Sequence, residues 1–145
     1  MPTSIDTPTI VEIKVEKKTE IAINDCKEYT FYINGQEYKR LPLDANVREP
    51  NISKSKPYKD MCMTLKETPE KFFENNLGIS VVATRVDKIS ENKYKLNFAS
   101  GTGILNGGHT QQAILDSKQY PQIGEATIKI TVREKNYTCY GINLY

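Results

Sequence analysis

The sequence predicts an α+β domain, a mixed β-sheet carrying a few short helices. Strand-like runs stand near the start, in the middle and toward the end of the chain, while helix-start signals fall between them without a regular strand–helix alternation. The 145 residues suffice for one core and fall short of two ordinary ones, so residues 1–145 read as a single domain with a flexible tail over residues 1–9.

Taken in order, Val11-Glu12-Ile13-Lys14-Val15 alternates apolar and charged residues, the pattern of a half-exposed strand. Thr30-Phe31-Tyr32-Ile33, Asn34-Gly35 and Gln36-Glu37-Tyr38 read together as a hairpin, because Asn-Gly tolerates the positive φ of a two-residue turn. From Leu43 to Pro57 the apolar period fails and Asp, Asn, Pro, Ser and Lys accumulate, which marks a surface loop carrying Arg48. Tyr58 to Leu65 reads as a short helix. Thr68-Pro69-Glu70 starts another, with a threonine cap, a proline in the first position and an acid in the first turn; Asn75-Asn76-Leu77-Gly78 ends it.

Ile79 to Val86 is β-branched and nearly continuous. Glu91-Asn92 separates it from Tyr94-Lys95-Leu96-Asn97-Phe98, whose strict alternation completes an antiparallel pair. A glycine turn, a helix from about His109 to Asp116 and a last strand from Ala126 to Val132 come next, with Tyr137 to Tyr145 as an edge strand or tail.

Composition narrows the function. A formal net charge of +2 is far from the basic excess of a protein that neutralises many duplex phosphates. Cys26, Cys62 and Cys139 lie far apart without metal-ligand spacing, which fits a reducing compartment. No apolar run is long enough to cross a bilayer and the first residues lack a signal-peptide pattern, so the expectation is a cytoplasmic protein without a membrane partner. A nucleophile elbow, a Cys-x-x-Cys pair and a Walker lysine are all missing.

The chemistry-bearing stretch is Gly103-Ile104-Leu105-Asn106-Gly107-Gly108-His109-Thr110-Gln111-Gln112. Paired glycines admit positive φ and close approach, and the first turn of a helix leaves amide N–H groups without acceptors, which together make a candidate anion site. Each member also has a plainer reading. Gly107 and Gly108 can be a simple turn, His109 a solvated helix residue, Thr110 a cap, and Gln111 and Gln112 helix formers on a wet face. Arg48 can be a surface ion pair or a planar fork for phosphate. Asn75 and Asn76 can end a helix in the left-handed conformation or read a base edge. Asp44, Glu49 and Asp60 are either solvated charge or carboxylates for a magnesium ion arriving with a nucleotide.

Three ordered segments resemble the abortive-infection phage-resistance (AIPR) family: Leu43-Asp44-Ala45-Asn46-Val47-Arg48, Thr64 to Ile79, and Ile104-Leu105-Asn106-Gly107-Gly108-His109-Thr110. The family pattern runs Asn-x-Arg, then Thr-Leu, Pro-x-x-Phe and Asn-Asn-Gly-Ile, then a Val-Asn-Gly-x-Gln-Thr turn, and the resemblance covers roughly residues 41–132. Leu77 is inserted before Gly78, and His109 stands where the family usually has glutamine. Family members are usually much longer, which implies that any activity housed in the remainder is absent here. More distantly, the order of elements is similar to the ParB/sulfiredoxin-like superfamily, although no arginine follows Gly107-Gly108.

The resemblances imply a module of phage defence that binds a nucleotide or nucleic-acid phosphate through Arg48, Asn75, Asn76, Asn106, Gly107, Gly108, His109, Thr110 and Gln111. The alternatives are a nucleotide hydrolase or nuclease with His109 as catalytic acid or base, and a protein-interaction module exposing the basic loop from Asn51 to Lys59. No cofactor beyond magnesium with a nucleotide is expected, and a homo-oligomer stays open.

Overall fold

The computed structural model describes residues 9–43 and 55–135. Strands β1 (Thr9–Lys14), β2 (Lys17–Ile23) and β3 (Cys26–Asn34) come first, followed by helices α1 (Lys56–Glu67) and α2 (Phe72–Asn75), joined by a 3-10 turn at Pro69–Lys71. Next come β4 (Ile79–Ala83), β5 (Arg85–Ser90), β6 (Lys93–Phe98), β7 (Gly103–Asn106), α3 (Gly108–Asp116), a second 3-10 turn at Pro121–Glu125 and β8 (Thr127–Glu134). The α+β class is observed.

The strands form a three-stranded sheet of order β1-β6-β5 and a five-stranded sheet of order β2-β3-β8-β4-β7. In the larger sheet β4 and β8 run parallel, while β2 with β3, β3 with β8 and β4 with β7 are antiparallel, so the sheet is mixed. Alternation along β3 and β8 turns Tyr29, Phe31 and Ile33, with Ile128, Ile130 and Val132, onto one face, where Leu65, Phe72, Ile114 and Ile123 complete the core. The helices and the 3-10 turns thus cover one face of the sheet. On the other, Thr30 and Thr131 are half-buried and Ser80 is exposed.

The chain crosses between the sheets at sharp corners. Val15 donates to Asn92 O and the very next amide, Glu16, donates to Tyr32 O, both at 2.8 Å. At the other corner Thr84 gives its amide and its hydroxyl to Asn97 O, again at 2.8 Å. The run from Ile79 to Val86 therefore breaks at Thr84, where the sequence pattern indicates one strand. The sheets are packed together by Tyr94 against Phe31, with ring centroids 4.7 Å apart.

Two turn assignments are corrected. The hairpin lies at Asn24-Asp25, between Ile23 and its partner Cys26, with Asn24 at φ 58°. Asn34-Gly35 ends β3 without forming a hairpin: Gly35 donates to Ala126 O, and a Cβ there would lie 2.5 Å from Ile123 O, so backbone packing takes the glycine. The paired asparagines do not take the left-handed conformation either. Asn75 closes α2, Asn76 is extended at φ −136°, and the positive φ falls on Gly78 at 101°. Thr68 makes no side-chain cap; Ser55 caps α1 by accepting from Tyr58 N.

Burial sets a pH limit on this core. Desolvation, with the Glu134 charge added, pushes Tyr29 up to about 12, and burial raises Tyr38 further, against a smaller opposing effect of Arg40. An unfolded tyrosine ionises near pH 10, so the folded chain holds these protons while the unfolded chain releases them. Stability is therefore full below about pH 10 and falls as pH rises toward 12. Urea midpoints measured across that range are expected to drop, and to drop less steeply in Tyr29→Phe.

Candidate functional site at the start of helix α3

Helix α3 begins directly from β7 through Gly107, which is left-handed at φ 109° and ψ 19° and provides the cap without a side chain. Its carbonyl accepts from Gln111 N at 2.9 Å, the first turn of the helix. A Cβ on Gly107 would stand 3.0 Å from both Cα and Cγ1 of Ile79. The close approach that demands glycine is thus made by β4, part of the protein itself. The amides of Gly108, His109 and Thr110 have no hydrogen-bond acceptor among the described residues.

The side chains expected to surround these amides divide into committed and uncommitted groups. Gln111 is buried, and both ends of its carboxamide are engaged: Oε1 accepts from Leu41 N at 2.8 Å and from the Tyr38 hydroxyl, and Nε2 donates to Leu41 O at 3.0 Å. This side chain fastens α3 to the segment after β3 and faces inward. Thr110, also buried, accepts from Asn76 Nδ2 at 3.2 Å and donates to Met61 Sδ at 3.4 Å. Asn76 Oδ1 in turn accepts from Gly78 N at 2.8 Å. The asparagine and glycine motifs, far apart in sequence, therefore meet at one point through Asn76 and Thr110.

Uncommitted are Asn106, which is exposed, and His109, which is half-buried, neither with a side-chain hydrogen bond among the described residues. Asn75 is exposed on α2. Arg48, Asp44 and Glu49 lie outside the described residues, as does Cys139. What the structure gives of that loop is its starting direction: Ile104 N donates to Pro42 O at 2.8 Å and Leu43 bridges Ile104 in parallel, so the chain at Leu43 runs with β7 toward the Gly107 turn. Among the described residues no group of three or more His, Cys, Asp or Glu is placed to hold a metal ion, and Asp60 pairs with Lys56 at 2.9 Å.

A second polar cluster lies toward the other end of α3, where no sequence motif marks a site. The Tyr58 hydroxyl donates to Asp116 Oδ2 at 2.5 Å and Gln112 Nε2 donates to Asp116 Oδ1 at 2.9 Å, locking α1 to α3. The bond to Asp116, and then that to Cys62, raises the Tyr58 pKa. Gln111 is the harder residue to read from sequence. Its spacing of three from the buried Ile114 puts it on the inner stripe of the helix, and that spacing is the signal that identifies it as internal.

These roles separate the adjacent glutamines. Replacing Gln111 by Leu strands Leu41 N, Leu41 O and the Tyr38 hydroxyl, and is expected to cost about 2–4 kcal/mol. Gln112→Leu, which loses one exposed bond, is expected to stay within about 0.5 kcal/mol of the parent. Urea denaturation of the two variants checks both values.

Among the described residues no helix is long and apolar enough to cross a membrane. No curated protein and no solved structure matches the chain, so the ParB/sulfiredoxin-like similarity gains no support from known coordinates. The family model of the AIPR proteins does match, over residues 43–138, a span that contains the Asn76–Thr110 meeting point, the Gly107 turn and most of the core. On that match the chain belongs to the AIPR family, and with it to the proteins associated with abortive infection and phage resistance.

Proposed function

We propose that the start of α3 holds a phosphate group of a nucleotide or a nucleic acid, and that in this way the chain serves a response to phage infection. The observation that carries the proposal is the row of amides at Gly108, His109 and Thr110, which have no acceptor among the described residues at the positive end of a helix. Asn106 before the row and His109 within it carry side chains without a hydrogen bond among the described residues, and Asn76 steadies Thr110. Arg48 is the basic partner in this reading, a role its planar fork suits.

Binding rather than turnover is the reading favoured. A histidine acting as general base is normally oriented by a further hydrogen bond, and His109 has no such partner among the described residues. Catalysis by His109 would be recognised by turnover that His109→Ala abolishes while binding persists.

Calorimetric titration against a panel of nucleotides and short oligonucleotides tests the proposal. Asn106→Asp places a negative charge beside the amides at an exposed position and is expected to weaken binding about three- to tenfold, with the melting temperature unchanged. Arg48→Ala is expected to weaken it by at least as much. Absence of heat with every member of the panel at concentrations that detect micromolar affinity, or an affinity indifferent to Asn106→Asp, rejects the phosphate site.

A further inference from the structure

Strand β2 is the outer strand of the five-stranded sheet, paired with β3 on one side and with no strand on the other among the described residues. It keeps register with β3 over its whole length without a bulge, and it has no proline, so it lacks two of the usual devices that blunt a sheet edge. Ile21 and Ile23 are 50% and 63% exposed. Its charge is unevenly distributed: Lys17 and Lys18 stand at the beginning and Glu20 beyond the middle. Lys18 is held by Glu91 at 2.8 Å, whereas Glu20 makes no ion pair among the described residues.

We propose that two copies of this chain pair through β2, antiparallel, about a two-fold axis at Thr19, so that the sheet of one copy continues into the other. An interface of this symmetry must be complementary to itself, and β2 is so in one register. About Thr19, Lys18 lies opposite Glu20 of the partner subunit, and by symmetry this pair forms twice; Lys17 lies opposite Ile21 of the partner subunit, its aliphatic stem covering exposed apolar surface. An axis at Glu20 sets two carboxylates directly against each other, which is repulsive. An axis at Ile21 leaves Lys18 opposite Asn24 and Glu20 opposite Ala22, and its one opposite-charge pair, Lys17 with Asp25, falls in the turn beyond the strand rather than within β2.

Sedimentation equilibrium of the full chain from low micromolar to near-millimolar concentration tests the pairing. The parent is expected to show a reversible monomer–dimer equilibrium. Glu20→Lys and Lys18→Glu each bring like charges together twice and are expected to weaken it roughly tenfold or more, while an equimolar mixture of the two variants, which restores opposite charges across the axis, is expected to dimerise again. Glu20→Lys keeps the Lys18–Glu91 pair and is informative even where Lys18→Glu lowers the melting temperature. A parent that stays monomeric throughout, including by covering β2 with its own residues 136–145, overturns the proposal. So does a dimer indifferent to Glu20→Lys, or a mixture that remains monomeric.

Discussion

The exchange of hydrogen bonds between the buried carboxamide of Gln111 and both backbone groups of Leu41 governs how the helical layer meets the sheet. Leu41 belongs to an irregular stretch after β3, its own buried N–H and C=O take Gln111 rather than a strand as partner, and a lost partner there costs about 1–3 kcal/mol. Gln111 is able to serve because a carboxamide donates and accepts in one plane, as a neighbouring strand would. Pro42 and Leu43, immediately beyond, are tied to Ile104 of β7. One side chain thereby helps seat α3 and direct the chain after β3 as far as Leu43.

The glycines of the turn acquire a different meaning in this setting. A glycine-rich turn before a helix suggests room for a ligand, but at Gly107 the room is filled by Ile79, and at Gly78 a Cβ would stand 2.4 Å from Lys129 O. Both glycines let β4 approach its neighbours closely, and both carry the positive φ that such a turn requires. The proposed phosphate site therefore rests on the amides of the first helical turn, and Gly107 contributes by pointing the helix so that those amides are left over.

The sequence made legible those features whose cause is local. The alternation of Tyr94, Leu96 and Phe98 marked β6 and the run into Asp116 marked α3, whereas the partner of β6 is β5, which shares only Arg85 and Val86 with the run read as its mate; Ile79–Ala83 pairs with β7 and β8 instead. Strand β2 escaped because nearly all of it is exposed, so that Lys17-Lys18-Thr19-Glu20 shows no buried face to read. Asn34-Gly35 misled because the preferred hairpin residues stand where a strand ends against Ile123, and the hairpin itself uses Asn24-Asp25. The break at Thr84 depends on a carbonyl of β6, a partner no local pattern reveals. Around the candidate site, the motif order signalled that the asparagine and glycine segments belong together, while the contact that joins them, Asn76 to Thr110, arises only in three dimensions.

Sheet order relates the two proposals to each other. Strand β7, which delivers α3, and strand β2 lie at opposite edges of the five-stranded sheet. With neighbouring strands about 4.8 Å apart, pairing through β2 leaves both helix starts clear and sets the two β7 strands roughly 43 Å apart across the continuous sheet, somewhat less with twist. No mononucleotide bridges that distance, so its affinity is indifferent to assembly. A single strand of nucleic acid long enough to reach both sites gains effective concentration from the paired form and loses it when β2 is blocked. The dependence of affinity on ligand length, compared between the paired and unpaired chain, thus separates a captured small signal from a captured polymer.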